Sequence, residues 1–522
     1  MNRIALFSSA AALCLLIGNA FAQFAGSNLV VSLVDSGDVT KAPTSAASQV
    51  RLVAYTRVNG RPVLPTGQTY DLPVAIFGSN HALTQSGSET SEGELTLSDD
   101  GKYLILVGYD AAPGTLAIAT TAAATVNRVV GRIDWTQPAA PAIDTTTALN
   151  NIFDKTNIRG VSSPDGQTFY LAGTSSTQGG VALATLGATT ATPSYGGTVT
   201  KNVRYIRSFG GSLYVSGATS GGPLHGVGQV TAGTTTELTG FPTMAGPSSY
   251  GFYFLNSKTL YVADDRLTAS GGIQKWLNVG GVWQLLYTLN IPAASGTGVV
   301  GARGLAGSPF FAEDAGTTVA QLYAVTTDNR IVTVIDDNPG ATFDVVDTGT
   351  LSRVFRGVEV IRPTTVTVGG LISIPGVSDD LNPGNIQVPV HVTFRPLPIG
   401  SAPSFTRTVT VAADNTYTVT GVPAGVAYEL HVQGDNTLAG NHNVDTYSQD
   451  DIDADVILQP GDANGDNSVD PTDFGIFVTA YNSDIHVPGS GYNPAADFNF
   501  DGAVDPTDFG LFVGTYNTIG EP

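Results

Sequence analysis

Asp462-Ala463-Asn464-Gly465-Asp466-Asn467-Ser468-Val469-Asp470-Pro471-Thr472-Asp473 and Asp497-Phe498-Asn499-Phe500-Asp501-Gly502-Ala503-Val504-Asp505-Pro506-Thr507-Asp508 are one pattern written twice, 35 positions apart. Side-chain oxygens fall at positions 1, 3, 5, 9 and 12 of each copy: Asp462, Asn464, Asp466, Asp470 and Asp473, then Asp497, Asn499, Asp501, Asp505 and Asp508. The backbone carbonyl at position 7, from Ser468 and from Ala503, can complete the shell of six to eight oxygens that calcium takes. Position 6 must turn sharply, which Gly502 does freely and Asn467 tolerates. The spacing predicts two Ca2+ ions, one in each loop.

Pro471 and Pro506 stand where a helix has its first residue, a position that needs no N–H. Phe474, Phe477, Val478 and Tyr481 follow at i, i+3, i+4 and i+7, and Phe509, Phe512, Val513 and Tyr516 repeat the spacing. Each helix therefore has one apolar face, and the two faces are expected to pack about a pseudo-twofold axis. Gly475 and Gly510, poor helix formers, are expected to let the helices approach closely. Gly461 to Asn517 resembles the dockerin type I module of secreted polysaccharide-degrading systems, which is two copies of a calcium loop and its following helix. The resemblance accounts for Asp473 and Asp508 at position 12, and it implies a small α-helical, calcium-binding domain with a cohesin-like protein as partner. In that family positions 10 and 11 help choose the cohesin; here both copies have Pro-Thr.

Ten acidic residues and no Lys or Arg lie between Gly461 and Pro522. So much like charge opposes compaction unless a cation neutralises it, so folding of this segment is expected to be metal-coupled. The whole chain carries a formal charge of -21, which disfavours a nucleic-acid partner. Arg3, an apolar run from Ile4 to Ile17, and Ala20-Phe21-Ala22 read as a signal peptide over 1–22, cut before Gln23. Cys14, the only cysteine, lies inside it, so the mature chain would have no thiol chemistry. No later run approaches the ~20 apolar residues of a membrane span. The expected location is secreted, extracellular or at the cell surface.

The composition, rich in Gly, Thr and Val, favours short strands over helices. Turn-then-strand units recur around Leu104, Phe169, Leu213, Leu260 and Leu322, with Tyr-containing centres 44 to 66 residues apart. Each is preceded by another strand: Glu94–Leu97, Ile158–Ser162, Val203–Arg207, Gly251–Leu255 and Arg303–Ala306. This suits four-stranded blades of a β-propeller over residues 23–363, six blades by count and seven as the alternative. A final strand, Phe355–Val360, lacks its following unit, and Asn28–Val34 at the front looks like the missing piece, so the two are expected to close the ring. Ser163-Pro164-Asp165-Gly166 before an apolar strand is similar to blades of lactonase-like and other bacterial surface propellers, a likeness shared by unrelated functions. Asp100-Gly101 and Asp165-Gly166 read as turn chemistry.

The six histidines show no H-E-x-x-H or H-x-H spacing and no G-x-S-x-G elbow occurs, which disfavours zinc hydrolases and serine esterases. Catalytic residues are unknown. Asp110, Asp134, Asp264, Asp265 and Glu313 are the candidate acids, since glycoside hydrolysis draws carboxylates from separate elements. Trp135, Trp276 and Trp283 could stack on sugar rings if exposed, although burial is commoner. From Thr364 to Pro460 strands alternate apolar and polar residues, and Asn415–Leu430 resembles a carboxypeptidase-regulatory or transthyretin-like β-sandwich, a spacer in most settings. His431 and His442 there form a candidate metal pair, a surface role at strand ends being the commoner alternative.

The reading is therefore a mainly β protein: a propeller (23–363), a β-sandwich spacer (364–460) and a dockerin-like domain (461–522). Its expected function is extracellular binding by a non-catalytic propeller, with the tail docking to a cohesin-like protein or cell-surface component and a carbohydrate as possible ligand. The alternatives are a polysaccharide hydrolase acting on O-glycosyl bonds and a structural surface protein.

Overall fold

In the computed structural model, Asp100-Gly101 and Asp165-Gly166 sit at the tips of turns that launch strands. Gly101 and Gly166 adopt φ of 73° and 67°, conformations open to glycine at little cost. Gly101 N–H donates to the Ser98 carbonyl at 2.8 Å, and Gly166 N–H donates to Ser163 Oγ at 2.8 Å. The strands Tyr103–Tyr109 and Thr168–Gly173 follow at once. The structure describes residues 27–522 except 59–60, 64–68, 137–141, 218–223, 242–246, 313–316, 362–364, 377–387, 398, 401, 413, 425 and 447–452. The predicted signal peptide, Glu313 and the Pro363 boundary lie outside the described residues.

The chain divides into two units, Met1–Phe310 with Thr318–Ile361, and Phe311–Thr317 with Arg362–Pro522. In the first, successive antiparallel sheets hold Ile158–Ser162 with its two following strands, then four strands from Val203 to Glu237, four from Ser249 to Leu289, and four from Ala302 to Thr348. Ser27–Asp35 pairs on one side with Ala47–Val58 and on the other with Arg353–Val360, Leu29 facing Val360 and Asp35 facing Arg353. First and last segments thus share a sheet, as expected.

Two details depart from the expected regularity. The sheet begun by Ile158–Ser162 has three strands, a single bridge between Leu183 and Thr192 standing where a fourth would be. The first strands do not form a separate sheet, because Thr84–Ser86 pairs with both Ala47–Val58 and Tyr103–Tyr109 and joins them. Gly108 makes room for this junction: a Cβ there would lie 2.5 Å from the Thr84 carbonyl oxygen.

In the second unit, Thr365–Ser373 pairs with Thr416–Pro423 and Val456–Ile457, and a second sheet runs Phe405–Val411, Val388–Pro396, Ala427–Gly434, Gly440–Asp445. Val368, Val392, Phe394, Tyr417, Leu430 and Val456 from both sheets share one buried core. Gly440–Asp445 was not expected as a strand; its Gly-Asn-His-Asn run lacks the apolar alternation, and it is an edge strand held mainly by its ladder to Ala427–Gly434. The two helices, α1 (Pro471–Ala480) and α2 (Pro506–Thr515), start at the predicted prolines.

Candidate functional site

Each loop at the C-terminus is wrapped around buried carboxylates. Asp462, Asp473, Asp497 and Asp508 are all essentially inaccessible, at 0, 0, 1 and 0 % exposure. Asp462 accepts the N–H groups of Gly465 at 2.8 Å, Asp466 at 3.0 Å and Asn467 at 2.7 Å. Asp497 accepts from Asp501 N–H at 3.2 Å, Gly502 N–H at 2.9 Å and the Tyr492 hydroxyl at 2.8 Å. Position 12 closes each loop: Asp473 takes Asn464 N–H and Asp470 N–H, while Asp508 takes Phe498, Asn499 and Asp505 N–H. Asp470 and Asp505, at position 9, cap α1 and α2 through Thr472 N–H and Thr507 N–H. Asn467 at φ 66° and Gly502 at φ 85° make the sharp turn required of position 6.

Burial raises the pKa of Asp462 and Asp497, and that of Asp508 to about 6, while hydrogen bonds from the loop oppose it; the neighbouring Asp473 adds to the rise at Asp462. Among the described residues no three His, Cys, Asp or Glu side chains are grouped as a metal site. The outer ligand candidates are held within the loop: Asn464 Nδ2 donates to Asp466, and Asn499 Nδ2 to Asp501, each at 2.8 Å. The chemistry of the donors still fits a hard cation. Two buried carboxylates per loop, with Asn and carbonyl oxygens beside them and no Lys or Arg from 461 to 522, leave negative charge that a divalent ion would neutralise.

The apolar helix faces meet in a two-fold pattern. Phe474 lies 5.7 Å from Phe512 and Phe477 lies 5.8 Å from Phe509, ring centre to ring centre. Phe477 and Phe512 are buried, but Phe474, Val478 and Tyr481 on α1 and Phe509, Val513 and Tyr516 on α2 remain exposed. Only the inner part of each predicted stripe is therefore core. Gly475 and Gly510 face open space, with nothing within 4 Å of where a Cβ would be, so they do not mediate close helix contact.

Residues 460–512 match the dockerin type I domain. No curated protein matches the chain. Among solved structures, a cohesin–X-dockerin complex from Acetivibrio cellulolyticus is 16 % identical over 30 % of this chain and 97 % of that one, with a TM-score of 0.23. TolB from Acinetobacter baumannii is 12 % identical over 64 % of this chain and 67 % of that one (TM-score 0.36), and the Cps50 (Swd1) β-propeller domain of Myceliophteria thermophila is 11 % identical over 66 % and 94 % (TM-score 0.28). Likenesses this slight carry no argument about fold or role. Dockerin modules occur in extracellular and cell-surface proteins, and no helix among the described residues is long and apolar enough to cross a membrane.

The dockerin domain does not stand apart from the strands before it. Gln433 Nε2 donates to Asp462 Oδ2 at 3.2 Å, Asn436 Nδ2 donates to the Asp497 carbonyl at 2.8 Å, and Ala439 N–H donates to Asn467 Oδ1 at 2.7 Å. Leu438 enters the dockerin core beside Val469, Phe477 and Phe512, and Phe500 enters the core of the two sheets. A single turn, Gly434–Gly440, thus touches both loops. It does so with one backbone amide, Ala439 N–H to the Asn467 side chain, and one side-chain amide, Asn436 Nδ2 to the Asp497 carbonyl, contacts that residue spacing does not encode.

His431 and His442 do not form a pair: His431 faces Asn441 across the ladder and His442 faces Leu430, so adjacent registers send them to opposite faces. The acids singled out by sequence are dispersed. Asp110 pairs with His81 at 2.7 Å, Asp264 with Arg266 at 2.7 Å and Asp265 with Arg303 at 3.3 Å, while Asp134 bonds Thr136. The carboxylates that do gather at the inner strands are others: Glu92, Glu94 and Glu359, all buried. Glu94 accepts Ile206 N–H, and Glu359 pairs with Arg207 at 2.7 Å. Glu92 accepts the Tyr109 hydroxyl at 2.6 Å, Asn157 Nδ2 at 2.8 Å and Ser86 N–H at 2.9 Å. Glu359 lies within the Arg353–Val360 strand, while Glu92 and Glu94 stand just before the short strand Thr96–Leu97, although the sequence suggested a strand from Glu94.

Burial pushes Glu92 up to about 7 against those hydrogen bonds. A carboxyl whose folded pKa exceeds its unfolded one stabilises the protein fully below the unfolded value, and this contribution is lost as pH rises through the folded one. The melting temperature of the first unit is therefore expected to fall between pH 5 and pH 8, and Glu92→Gln to flatten that slope. A slope unchanged in the variant, followed by calorimetry, would count against Glu92 as its source.

Trp276 and Trp283 are buried and Trp135 is half-buried, its indole N–H donating to the Gly101 carbonyl at 2.9 Å, so no tryptophan lies free as a stacking platform. Trp283 instead backs a groove of about 340 Å³ with Phe209, Tyr214, Phe254, Gln229 and Asn278.

Proposed function

We propose that this chain is a secreted, calcium-binding modular protein whose propeller, closed as six blades by its N-terminal strand, binds an extracellular ligand without catalysis. A β-sandwich spacer over 364–460 carries the dockerin domain, whose two loops hold one Ca2+ each through the residues named above. The dockerin domain is a docking module for a cohesin partner. The observation that carries the docking role is the paired exposed face: Phe474, Val478 and Tyr481, repeated as Phe509, Val513 and Tyr516 on a small acidic domain. Apolar patches of this kind mark interaction sites.

Because the two helices are equivalent, each offers the same surface. Val478→Asp or Val513→Asp alone is expected to reduce capture of a cohesin from the same secretome by a few-fold at most, and the double variant by roughly 100-fold, the size of a lost hot spot. Calcium chelation should abolish capture in every case. Full capture by the double variant, measured by surface plasmon resonance, would remove these helix faces from the interface.

A carbohydrate ligand is favoured by the groove in which the half-buried Phe209 and Tyr214, backed by buried Phe254 and Trp283, stand beside Gln229 and Asn278. The hydrolase alternative requires an open carboxylate pair, whereas Glu92, Glu94 and Glu359 are engaged and buried.

A further inference from the structure

Six inner segments of the first unit carry a charged or aromatic residue at one equivalent position: Glu92, Arg159, Arg204, Tyr250, Arg303 and Arg356. In five of them the next residue is glycine, and those glycines mark where neighbouring segments abut. A Cβ at Gly251 would lie 2.8 Å from the Arg303 carbonyl oxygen, at Gly304 2.8 Å from that of Arg356, and at Gly357 2.3 Å from that of Gly93. Equivalent positions therefore fall at one level around the axis. The Arg204 and Arg303 guanidinium groups lie 4.0 Å and 5.7 Å from the centre of the Tyr250 ring. Arg159 feels the charge of Arg204, and Arg356 that of Arg303, with Glu92 acting on both.

Four guanidinium groups in one ring are notable in a chain of charge -21 with 23 basic residues in all. Part of each is spent on tethering neighbours: Arg159 to the Val203 carbonyl, Arg204 to Ser248 and the Ser249 carbonyl, Arg356 to the Gly87 carbonyl. Among the described residues the one salt bridge on the four is Arg303 Nε to Asp265 at 3.3 Å, which leaves both Nη groups of Arg303 without a hydrogen bond. Arg356 is 7 % exposed and its Nε has no partner. Arg303 and Arg356 wall a cavity of about 50 Å³ with Thr90, Thr326, Thr327 and Asn329. An unpartnered Nε also occurs on the purely structural Arg128 and Arg207, so the sign of a ligand is the cavity itself, with two guanidinium groups and polar side chains on its wall beside Val325, Val354 and Phe355. A space of this size holds a few waters or one small oxyanion, and planar guanidinium groups match carboxylate and sulfate oxygens.

We propose that the cavity between Arg303 and Arg356, within the arginine ring, binds a carboxylate- or sulfate-type oxyanion, borne by an acidic saccharide or presented as a free ion. The inference rests on the reading of the propeller as a binding module and not on the docking of the tail, so loss of cohesin capture leaves it standing.

The test is isothermal titration of the full chain, calcium-loaded and in low salt, with sodium acetate, sodium sulfate, a galacturonic acid trimer and the neutral galactose trimer. An anionic probe is expected to bind, with the acidic trimer at least tenfold tighter than the neutral one if the natural source is a saccharide. Acetate or sulfate binding without the trimer assigns the site to free ions. Arg303→Gln should weaken the anionic probe at least tenfold. Asp265→Asn, which removes the carboxylate competing for Arg303, should tighten it several-fold, a gain that damage to folding cannot mimic. No binding of any anionic probe up to about 10 mM, tenfold weaker than a millimolar Kd, or equal affinity in wild type and both variants, overturns the proposal.

Discussion

Stripping divalent metal from the protein is expected to unfold or loosen residues 461–522 while the first unit keeps its own melting transition. The four carboxylates Asp462, Asp473, Asp497 and Asp508 are buried, and a buried charge without a counter-ion is among the costliest features a fold can hold. Hydrogen bonds from loop amides offset part of that cost, but no basic side chain is available in the segment. A site of roughly micromolar affinity in roughly millimolar calcium contributes about 4 kcal/mol by mass action. For a unit of this size each kcal/mol moves the midpoint by about 2–4 °C, so chelation should lower the melting of the second unit by roughly 10 °C or more. Because Gln433, Asn436 and Leu438 join the loops to the preceding sheets, the loss should spread into those sheets. The readout is scanning calorimetry with chelator and with restored calcium; superimposable thermograms would contradict metal-coupled folding.

Gly357→Ala is expected to cost about 3 kcal/mol or more, at the upper end for overpacking. Its Cβ would be placed 2.3 Å from the Gly93 carbonyl oxygen and 2.5 Å from Leu95 N. Both are backbone atoms, and neither can rotate away. The substitution drives the Arg353–Val360 strand off the segment at Gly93, at the seam where the last and first parts of the chain meet. Gly101→Ala, at an open turn with nothing within 4 Å, carries only the penalty of its positive φ and serves as the control. Denaturant unfolding of the first unit compares them, and equal stability of the two variants would show that the seam tolerates separation.

The twin loops and the prolines that start α1 and α2 could be read from the chain because each position has its own chemical requirement, repeated 35 residues on. The pairing of the N-terminal strand with Arg353–Val360 was legible for a similar reason: one unit lacked a partner and another stood alone at the opposite end. What could not be read depends on neighbours distant in sequence. Periodicity placed Phe474 and Phe477 on one face but not which of them the other helix covers, and the answer is Phe477. Gly475 and Gly510 looked like contact glycines, yet the tight approaches belong to Gly251, Gly304 and Gly357 in the first unit. The Arg-Gly pairs at 159, 303 and 356 were present in the sequence, but they become a ring only once the register sets them side by side. Likewise the Gly434–Gly440 turn touches both loops through the Ala439 N–H and the Asn436 side-chain amide, and neither contact follows from residue spacing.

The most direct measurement is calcium titration calorimetry on the full, metal-stripped chain. Uptake of two ions per chain, falling to one in Asp462→Ala or in Asp497→Ala, is the expected result. Heat that stays flat across the titration, or a stoichiometry indifferent to both substitutions, would mean that these loops close on their own amides and not on metal.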